Sequence, residues 1–315
     1  MEQFLQVTFS GLATGAVFAI AAVGFALLWQ TAGAINFAHG EFIVLPAVVM
    51  LVLTQQPVIG IPEFVPLIGG IRLVGPIPQL GIIAAFAITV PLMIFLLGYV
   101  FKRTMVDQLL EPGGDDIPLV IATLGLALVI REYLRISFGA APQRFPSPFG
   151  NHVWNVGGVA ITAIDVGVLV VATVVIIGLQ FFLNRTYTGR QMQATAQNQE
   201  TARVLGIPVN RMVFYTFAIN AALVTVAALL VAPVTTARFD GGISLGLAAF
   251  TAAIIGGFNQ VRGALFGGFL VGVIQNWSGT YLSSAYREFI PLVLMIIVIL
   301  WRPQGLFGRP EERVV

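Results

Sequence analysis

Residues 4–29 read FLQVTFSGLATGAVFAIAAVGFALLW and contain no charged side chain. A helix needs about 20 mainly apolar residues to cross the hydrocarbon core of a bilayer, so this run is long enough for a transmembrane span. Small residues recur in it at near-fourfold spacing, namely Gly11, Gly15, Ala19 and Ala22 or Val23. Such a stripe lets a second helix approach closely. We therefore predict a membrane-spanning helix whose small face packs against another helix.

The composition of the whole chain indicates an integral membrane protein. Of its 315 residues, 57% are hydrophobic and only 10% are charged, whereas soluble domains have roughly 45–50% and 25%. The mean hydropathy is +0.92, and so little polar sequence is not enough to cover a soluble core. The net charge of +2 does not favour a nucleic acid partner. The absence of cysteine excludes disulfides, thiolate-bound zinc and iron–sulfur clusters.

Further apolar runs predict the remaining spans. They cover residues 35–53, 80–101, 118–138, 166–183, 213–232, 243–258, 264–282 and 289–301. Pro46 predicts a broken or kinked second span, and the Gly-rich runs 243–258 and 264–282 form either two spans or one re-entrant pair. We read the glycines in GGFNQVRGALFGG as sites of close helix packing. The predicted fold is an all-α integral membrane protein, a polytopic helical bundle of eight or nine transmembrane segments with at least one broken or re-entrant helix, forming a single domain over residues 1–315.

Two long connections are predicted to lie on the outer face. Residues 54–79 are rich in Pro and Gly and nearly uncharged, which is typical of an ordered loop. Within residues 139–165, HVWNVGGVAIT alternates around Gly157 and Gly158, the signature of a β-hairpin with a two-residue turn. The positive-inside rule then places residues 184–212 in the cytoplasm.

The longest markedly polar interval is 184–217, NRTYTGRQMQATAQNQETARVLGIPVNRMVFYTF. Stop signals at Gly206 and Pro208 predict a helix over Arg190–Leu205. On such a helix one small, mildly apolar face is shared by Ala194, Asn198, Ala202 and Leu205. That face suits a shallow groove on another protein. The alternative is a cytoplasmic connector that lies on lipid headgroups, helped by Arg185, Arg190, Arg203 and Arg211.

The string INFAHGEF, residues 35–42, is the one place where ionisable groups sit within an apolar run. Asn36 is suited to cap a helix that starts at Phe37, with the Glu41 carboxylate near its positive end. The functional alternative is that Asn36, His39 and Glu41 line a translocation path or fix its inner gate, since irregular polar backbone at membrane depth occurs only beside a cavity or inside protein. Both interpretations stand at this point.

Enzyme chemistry finds little support in the sequence. The only lysine, Lys102, follows Phe101 and precedes Arg103, so the chain lacks a phosphate-binding Gly-Lys-Ser/Thr loop. His39 and His152 lie far apart, and neither an intramembrane acid pair nor a Gly-x-Ser-x-Gly elbow is present. We predict no catalytic residue, metal ligand or cofactor. A secondary transporter or channel remains an alternative.

Two strings resemble the branched-chain amino acid permease family of bacterial ABC importers. INFAHGEF, within residues 11–43, is similar to that family's first segments, and ATAQNQETARVLGI, residues 194–207, is similar to its coupling loop. In the family this loop docks onto a separate ATPase subunit, so the resemblance assigns coupling to the segment 184–212 and to Arg190, Ala194, Asn198, Ala202, Leu205 and Gly206. The sequence departs from the family at Pro46, where a small Gly is usual, and at Asn198, where an acid is common.

The resemblance also implies the partners and the solute. The partners are a second permease chain, either a paralogue or another copy, two ATP-binding subunits, and a periplasmic or lipid-anchored solute-binding protein. The implied location is the bacterial cytoplasmic (inner) membrane, with membrane lipid around the bundle. The implied solute is a branched-chain or other apolar amino acid, and urea or short amides are the alternative.

Overall fold

The structure is a computed structural model that describes residues 1–33, 35–55, 59–60, 72–73, 81–109, 117–138, 145, 147–150, 152–235 and 240–308. Its helices are α1 (Glu2–Ala32), α2 (His39–Gln55), α3 (Ile82–Met93), α4 (Asp107–Leu109), α5 (Ile117–Phe138), α6 (Ala163–Arg185), α7 (Tyr187–Gln197), α8 (Gln199–Val204), α9 (Val209–Thr235), α10 (Gly241–Gly256), α11 (Val261–Tyr281) and α12 (Tyr286–Trp301). Between α3 and α4 the chain stays helical through π-helical turns at Ile94–Val100 and Lys102–Val106.

Two short antiparallel strand pairs complete the described part of the chain. Strand β1 (Ile59–Gly60) pairs with β2 (Arg72–Leu73), and most of the predicted loop 54–79 lies outside the described residues. Strand β3 (Val153–Val156) pairs with β4 (Val159–Thr162) across Gly157 and Gly158. Both glycines have positive φ angles, 58° and 84°, as a tight two-residue turn requires. The predicted hairpin is therefore confirmed.

The helices confirm an all-helical, multi-pass membrane protein. Five helical stretches in the described residues are long and apolar enough to cross a membrane: α1, the continuous helix Ile82–Leu109, α5, α6 and α9. Helices α2 and α10 are apolar but shorter. The predicted count of eight or nine spans is not confirmed.

Helix α1 is the buried centre of the bundle, whereas only a minority of the residues in the apolar stretches of α3, α5 and α6 are buried. Its small face lies against α11: a methyl group added to Gly15 would lie 2.8 Å from the Cα of Phe269. On α11, Gly268 faces Ala19 and Gly272 faces Gly15. The predicted close approach is confirmed, because no side chain separates the two backbones at these positions.

Helices α10 and α11 form an antiparallel hairpin in which glycines again let the two backbones approach closely. Gly256 lies against Gly263, and Gly267 lies against the carbonyl oxygen of Ala252. In GGFNQVRGALFGG, Gly256, Gly263, Gly267 and Gly268 are thus helix-packing residues, as predicted. The two runs are two separate helices, joined through Gly257, whose φ of 112° few side chains tolerate.

The two ends of α1 mark opposite faces of the molecule. At its start, the carboxylate of Glu2 lies against Gly158 in the hairpin turn. At its end, the carbonyl oxygen of Thr31 accepts a hydrogen bond of 2.8 Å from Nε2 of Gln199, in the polar segment. The β3–β4 hairpin and the polar segment therefore lie on opposite faces, in agreement with the predicted alternation.

The connection from α1 to α2 is re-entrant. Helix α1 ends at Gly33, whose left-handed φ of 64° reverses the chain. Helix α2 begins with His39, whose Nε2 lies 3.0 Å from the carbonyl oxygen of Ala21. At 1.5 Å per residue, Ala21 is about 16 Å along α1 from Ala32. The chain thus returns to the inner part of α1 before α2 starts.

Of the break or kink predicted at Pro46, the break is wrong. Helix α2 continues without interruption from His39 to Gln55 and carries Pro46 inside it. Pro46 is buried, and membrane helices tolerate an internal proline when neighbouring packing holds the backbone. The irregular backbone lies earlier, at residues 35–38, where the chain re-enters the bundle.

The contact between α1 and α11 predicts a sharp response to added volume. Gly15→Leu should lower the free energy of unfolding by more than the roughly 1–3 kcal/mol typical of overpacking, because the obstacle is backbone that cannot move aside. The matched control is Gly178→Leu on α6, where nothing lies within 4 Å of an added Cβ. Thermal unfolding of the detergent-purified chain measures both variants, and equal melting temperatures would contradict the packing described here.

Candidate functional site

Asn36 holds the turn that leads into helix α2. Its Oδ1 accepts a hydrogen bond of 3.0 Å from the N–H of Ala38, and its carbonyl oxygen accepts one of 3.2 Å from the N–H of His39. The helix begins at His39, two residues later than the sequence predicted. The difference arises because Asn36 bonds to the turn formed by Phe37 and Ala38, which precedes the first helical residue.

His39 anchors the same helix start to α1. The side chain is fully buried, and its Nε2 donates to the carbonyl oxygen of Ala21, because a carbonyl can only accept. The imidazole ring packs edge-on against Phe25, with 5.1 Å between ring centroids. Its Nδ1 has no hydrogen-bond partner among the described residues. His39 thus fixes the depth at which α2 starts.

Glu41 lies where α2 meets α10. It is only 2% exposed, and its carboxylate occupies the space in which a side chain on Gly242 would lie. The charges that act on it are the guanidinium of Arg131 on α5, which attracts it, and the carboxylate of Asp240, which repels it. Its Oε2 has no hydrogen-bond partner in the described parts of the chain. A buried carboxylate in this state depends on nearby positive charge for its stability.

The N-terminal ends of two helices supply part of the positive charge near Glu41. The N-terminal turns of α2 and α10 cross at Gly40, Gly242 and Gly246; a methyl group on Gly40 would overlap the carbonyl of Gly242 and lie 2.9 Å from the Cα of Gly246. Helix N-termini carry partial positive charge from their aligned peptide dipoles. Glu41, in the first turn of α2 and beside the first turn of α10, therefore sits at a favourable end of both helices.

The structure brings Asn36, His39 and Glu41 together at one helix start and adds residues that the sequence did not single out. Thr123 on α5 accepts a hydrogen bond of 3.3 Å at Oγ1 from the N–H of Phe37. Asn220 on α9 is buried, and its Oδ1 lies against Gly24 beside the His39 ring. Asn220 could have been noticed as the lone amide in the run 213–232. Thr123 carried no such signal.

The polar segment differs from the single helix predicted over Arg190–Leu205. It forms α7 and α8, separated at Asn198, whose backbone is extended with φ −159° and ψ 112°. The Oδ1 of Asn198 accepts a hydrogen bond of 2.9 Å from the N–H of Thr201 and so caps α8. An Asn that caps a new helix ends the previous one, so Ala194, Asn198, Ala202 and Leu205 do not share one helix face.

The residues predicted to contact an ATPase therefore differ in exposure. Ala202 is 1% exposed, and its carbonyl oxygen accepts a hydrogen bond from the N–H of Ile207, so it packs within this chain. Leu205 is 72% exposed, and its neighbour Val204, which was not predicted, is 87% exposed. The other predicted positions divide as follows: Arg190, Asn198 and Gly206 are exposed, and Ala194 is part-buried.

The crossing of α2 and α10 predicts a contrast between neighbouring glycines. Gly40→Ala should destabilise the chain by at least the roughly 1–3 kcal/mol of an overpacked core, since the added methyl meets the backbone of Gly242. Gly241→Ala is the control, because nothing lies within 4 Å of its added Cβ and Ala favours a helix over Gly. Melting temperatures in detergent should fall for the first variant only. A fall for both would show that glycine is needed there for another reason.

Comparison with known proteins identifies the family. The family model described as the permease component of the branched-chain amino acid transport system matches residues 7–299. The high-affinity branched-chain amino acid transport system permease protein BraD of Pseudomonas aeruginosa is 30% identical over 318 residues, covering 99% of this chain and 98% of its own length. LivH of Escherichia coli, of the same description, is 28% identical over 323 residues, covering 99% and 98%.

A more distant relative is the probable branched-chain amino acid transport permease protein LivH of Methanocaldococcus jannaschii. It is 26% identical over 305 residues, covering 91% of this chain and 87% of its own length. No solved structure matches the chain. These relatives are permease subunits and not enzymes, and the match to the family model spans nearly the whole sequence. The chain therefore belongs to the family of branched-chain amino acid transport system permease components.

Proposed function

We propose that this chain is the permease subunit of an ABC importer that moves branched-chain or other apolar amino acids inward across the bacterial cytoplasmic membrane. Two separate ATP-binding subunits drive it, and a periplasmic or lipid-anchored solute-binding protein supplies the solute. A paralogous permease, or a second copy of this chain, completes the channel. Support comes from the family membership and from relatives named as branched-chain amino acid permeases over nearly their full length.

The observation that carries the proposal is the exposed apolar tip formed by Val204 and Leu205. The tip ends α8, between the charged side chain of Arg203 and Gly206, whose φ of 77° turns the chain back toward α9. Large apolar side chains that project from a polar segment are typical of protein contact sites. We propose that the tip, and not Ala202, enters the groove of an ATP-binding subunit.

The same segment is tied mechanically to the buried polar cluster. Helix α7 packs on α1, α6 and α9, and Gln199 at the start of α8 bonds to the carbonyl of Thr31 at the end of α1. Residues 35–38 follow α1 after a short turn. A displacement of the tip is therefore passed to the end of α1 and to the re-entrant segment. Asn36, His39 and Glu41 act in this proposal as the residues that set the position of the inner gate.

The Leu205 tip provides the test of coupling. Leu205→Arg should abolish co-purification of the ATP-binding subunits and uptake, because it places an unpaired charge in a contact that excludes water. Membrane insertion should be normal, since the side chain is exposed in this chain. The matched control is Gln197→Arg, at an exposed position at the end of α7, and it should be nearly silent. Retained co-purification in Leu205→Arg would refute docking at the tip.

The opposite face offers a site for the solute-binding protein. In the hairpin, Trp154 is 45% exposed, and its ring lies 5.1 Å from that of His152. Exposed aromatic side chains held in a β-hairpin are suited to anchor a protein interface. Trp154→Ala should weaken the stimulation of ATP hydrolysis by the binding protein, while the basal activity of the complex is kept. Unchanged stimulation across a titration of binding protein would remove this role.

A further inference from the structure

Phe37 is the exposed residue of the string INFAHGEF. Asn36, His39 and Glu41 are between 1% and 2% exposed, whereas the Phe37 side chain is 42% exposed. The polar residues of the string are thus turned into the subunit, and the large apolar one is turned out.

Three contacts place Phe37 at the depth of helix interiors. Its N–H bonds to Thr123, which is about 9 Å along α5 from Ile117. Its ring lies 6.1 Å from that of Phe250, within α10. It stands two residues before His39, which bonds to Ala21 inside α1. None of these contacts lies at a helix end, so Phe37 emerges at membrane depth.

The surface around Phe37 is poorly suited to contact with lipid. Residues 35–38 are not helical, and non-helical backbone in the hydrocarbon core is tolerated only where protein buries it or where it lines a water-filled cavity. The N–H of Phe37 bonds to Thr123 within the subunit, but the Phe37 side chain is exposed. Solute sites of transporters typically lie where a membrane helix is interrupted, because irregular backbone at this depth occurs beside a cavity. This placement favours a water-filled path over lipid at the Phe37 surface.

The surroundings of Phe37 are apolar. On α10, Ile243, Leu247 and Phe250 recur at intervals of four and three residues and so share one face of the helix. Ile243 is 53% exposed and Leu247 is 36% exposed, and Phe250 contacts Phe37. We call Phe37, Ile243, Leu247 and Phe250 the Phe37 face. It is an apolar wall beside a polar, non-helical segment.

We propose that the Phe37 face lines the water-filled path and contacts the apolar side chain of the passing amino acid. Asn36, His39 and Glu41 hold the segment from behind. The inference rests on the proposed function for the identity of the solute, but the access of water to Phe37 does not. An apolar wall favours a larger apolar side chain over a smaller one, because more apolar surface leaves water.

The chain has no cysteine, so single cysteines report on access directly. In the assembled complex, Phe37→Cys and Leu247→Cys should react with a charged, membrane-impermeant methanethiosulfonate, because thiolates form and react only where water reaches them. Phe181→Cys, 64% exposed on α6, should stay unlabelled as a lipid-facing control. Trp154→Cys on the hairpin should be labelled as the positive control. The mass of this chain is the readout, with and without ATP and in both vesicle orientations.

Labelling at residue 37 or 247, with residue 181 silent, supports the proposal, and Leu247→Cys carries the test if Phe37→Cys fails to assemble. No labelling at either position in any condition, with residue 154 labelled, would overturn it. Phe37→Ala should also lower the ratio of leucine uptake to alanine uptake several-fold, and an unchanged ratio would overturn the solute contact. Labelling requires no transported solute. If the proposed solute is wrong but the Phe37 face lines the path, labelling still occurs; if the Phe37 face does not line the path, labelling fails.

Discussion

The re-entrant segment at residues 35–38 sets the constraint on which the rest of the structure depends. Backbone N–H and C=O groups that are not in a helix need partners when they lie at membrane depth. Asn36 supplies one from its own side chain, and Thr123 supplies another from α5. His39 then ties the following helix to Ala21. The bonds to Thr123 and Ala21 require α5 and α1 to approach the segment closely, so the segment constrains the packing of the helices around it.

Close approach is achieved by glycine. Gly15 meets Phe269, Gly40 meets Gly242, and Gly256 meets Gly263 with backbone against backbone. In lipid, helix association relies on such contacts, because apolar side chains gain little by leaving one apolar surrounding for another. The result is a rigid centre made of α1, α2, α10 and α11. Helices α3, α5 and α6 stand around it with only a minority of their residues buried, which leaves surface available for lipid or for a second permease chain.

Helix α1 connects the hairpin on one face of the molecule with the polar segment on the other face. Its start touches the hairpin at Gly158, its inner part holds His39, and its end holds Gln199. In our proposal a displacement of the exposed tip at Val204 and Leu205 reaches the re-entrant segment through this one helix.

The sequence predicted what depends on local pattern. The apolar runs indicated the helices, the Gly157–Gly158 pair predicted the hairpin, and the small residues of α1 predicted its close contact. The sequence did not reveal what depends on tertiary placement: that α2 passes through Pro46 unbroken, that Asn198 ends one helix and caps the next, and that Ala202 is turned inward while Leu205 is turned out. Thr123 and Phe37 belong to the candidate site because residues 35–38 re-enter the bundle at a certain depth along α1. Sequence periodicity gives no information about that depth.

Solute uptake into proteoliposomes tests the central claim most directly. The complex of this permease with its partner permease and ATP-binding subunits would be supplied with the solute-binding protein and with ATP on the ATPase side. Radiolabelled leucine and urea would be compared in parallel. We predict leucine uptake that needs both ATP hydrolysis and the binding protein. Uptake of urea in place of leucine, or leucine uptake that an ion gradient drives without ATP, would contradict it.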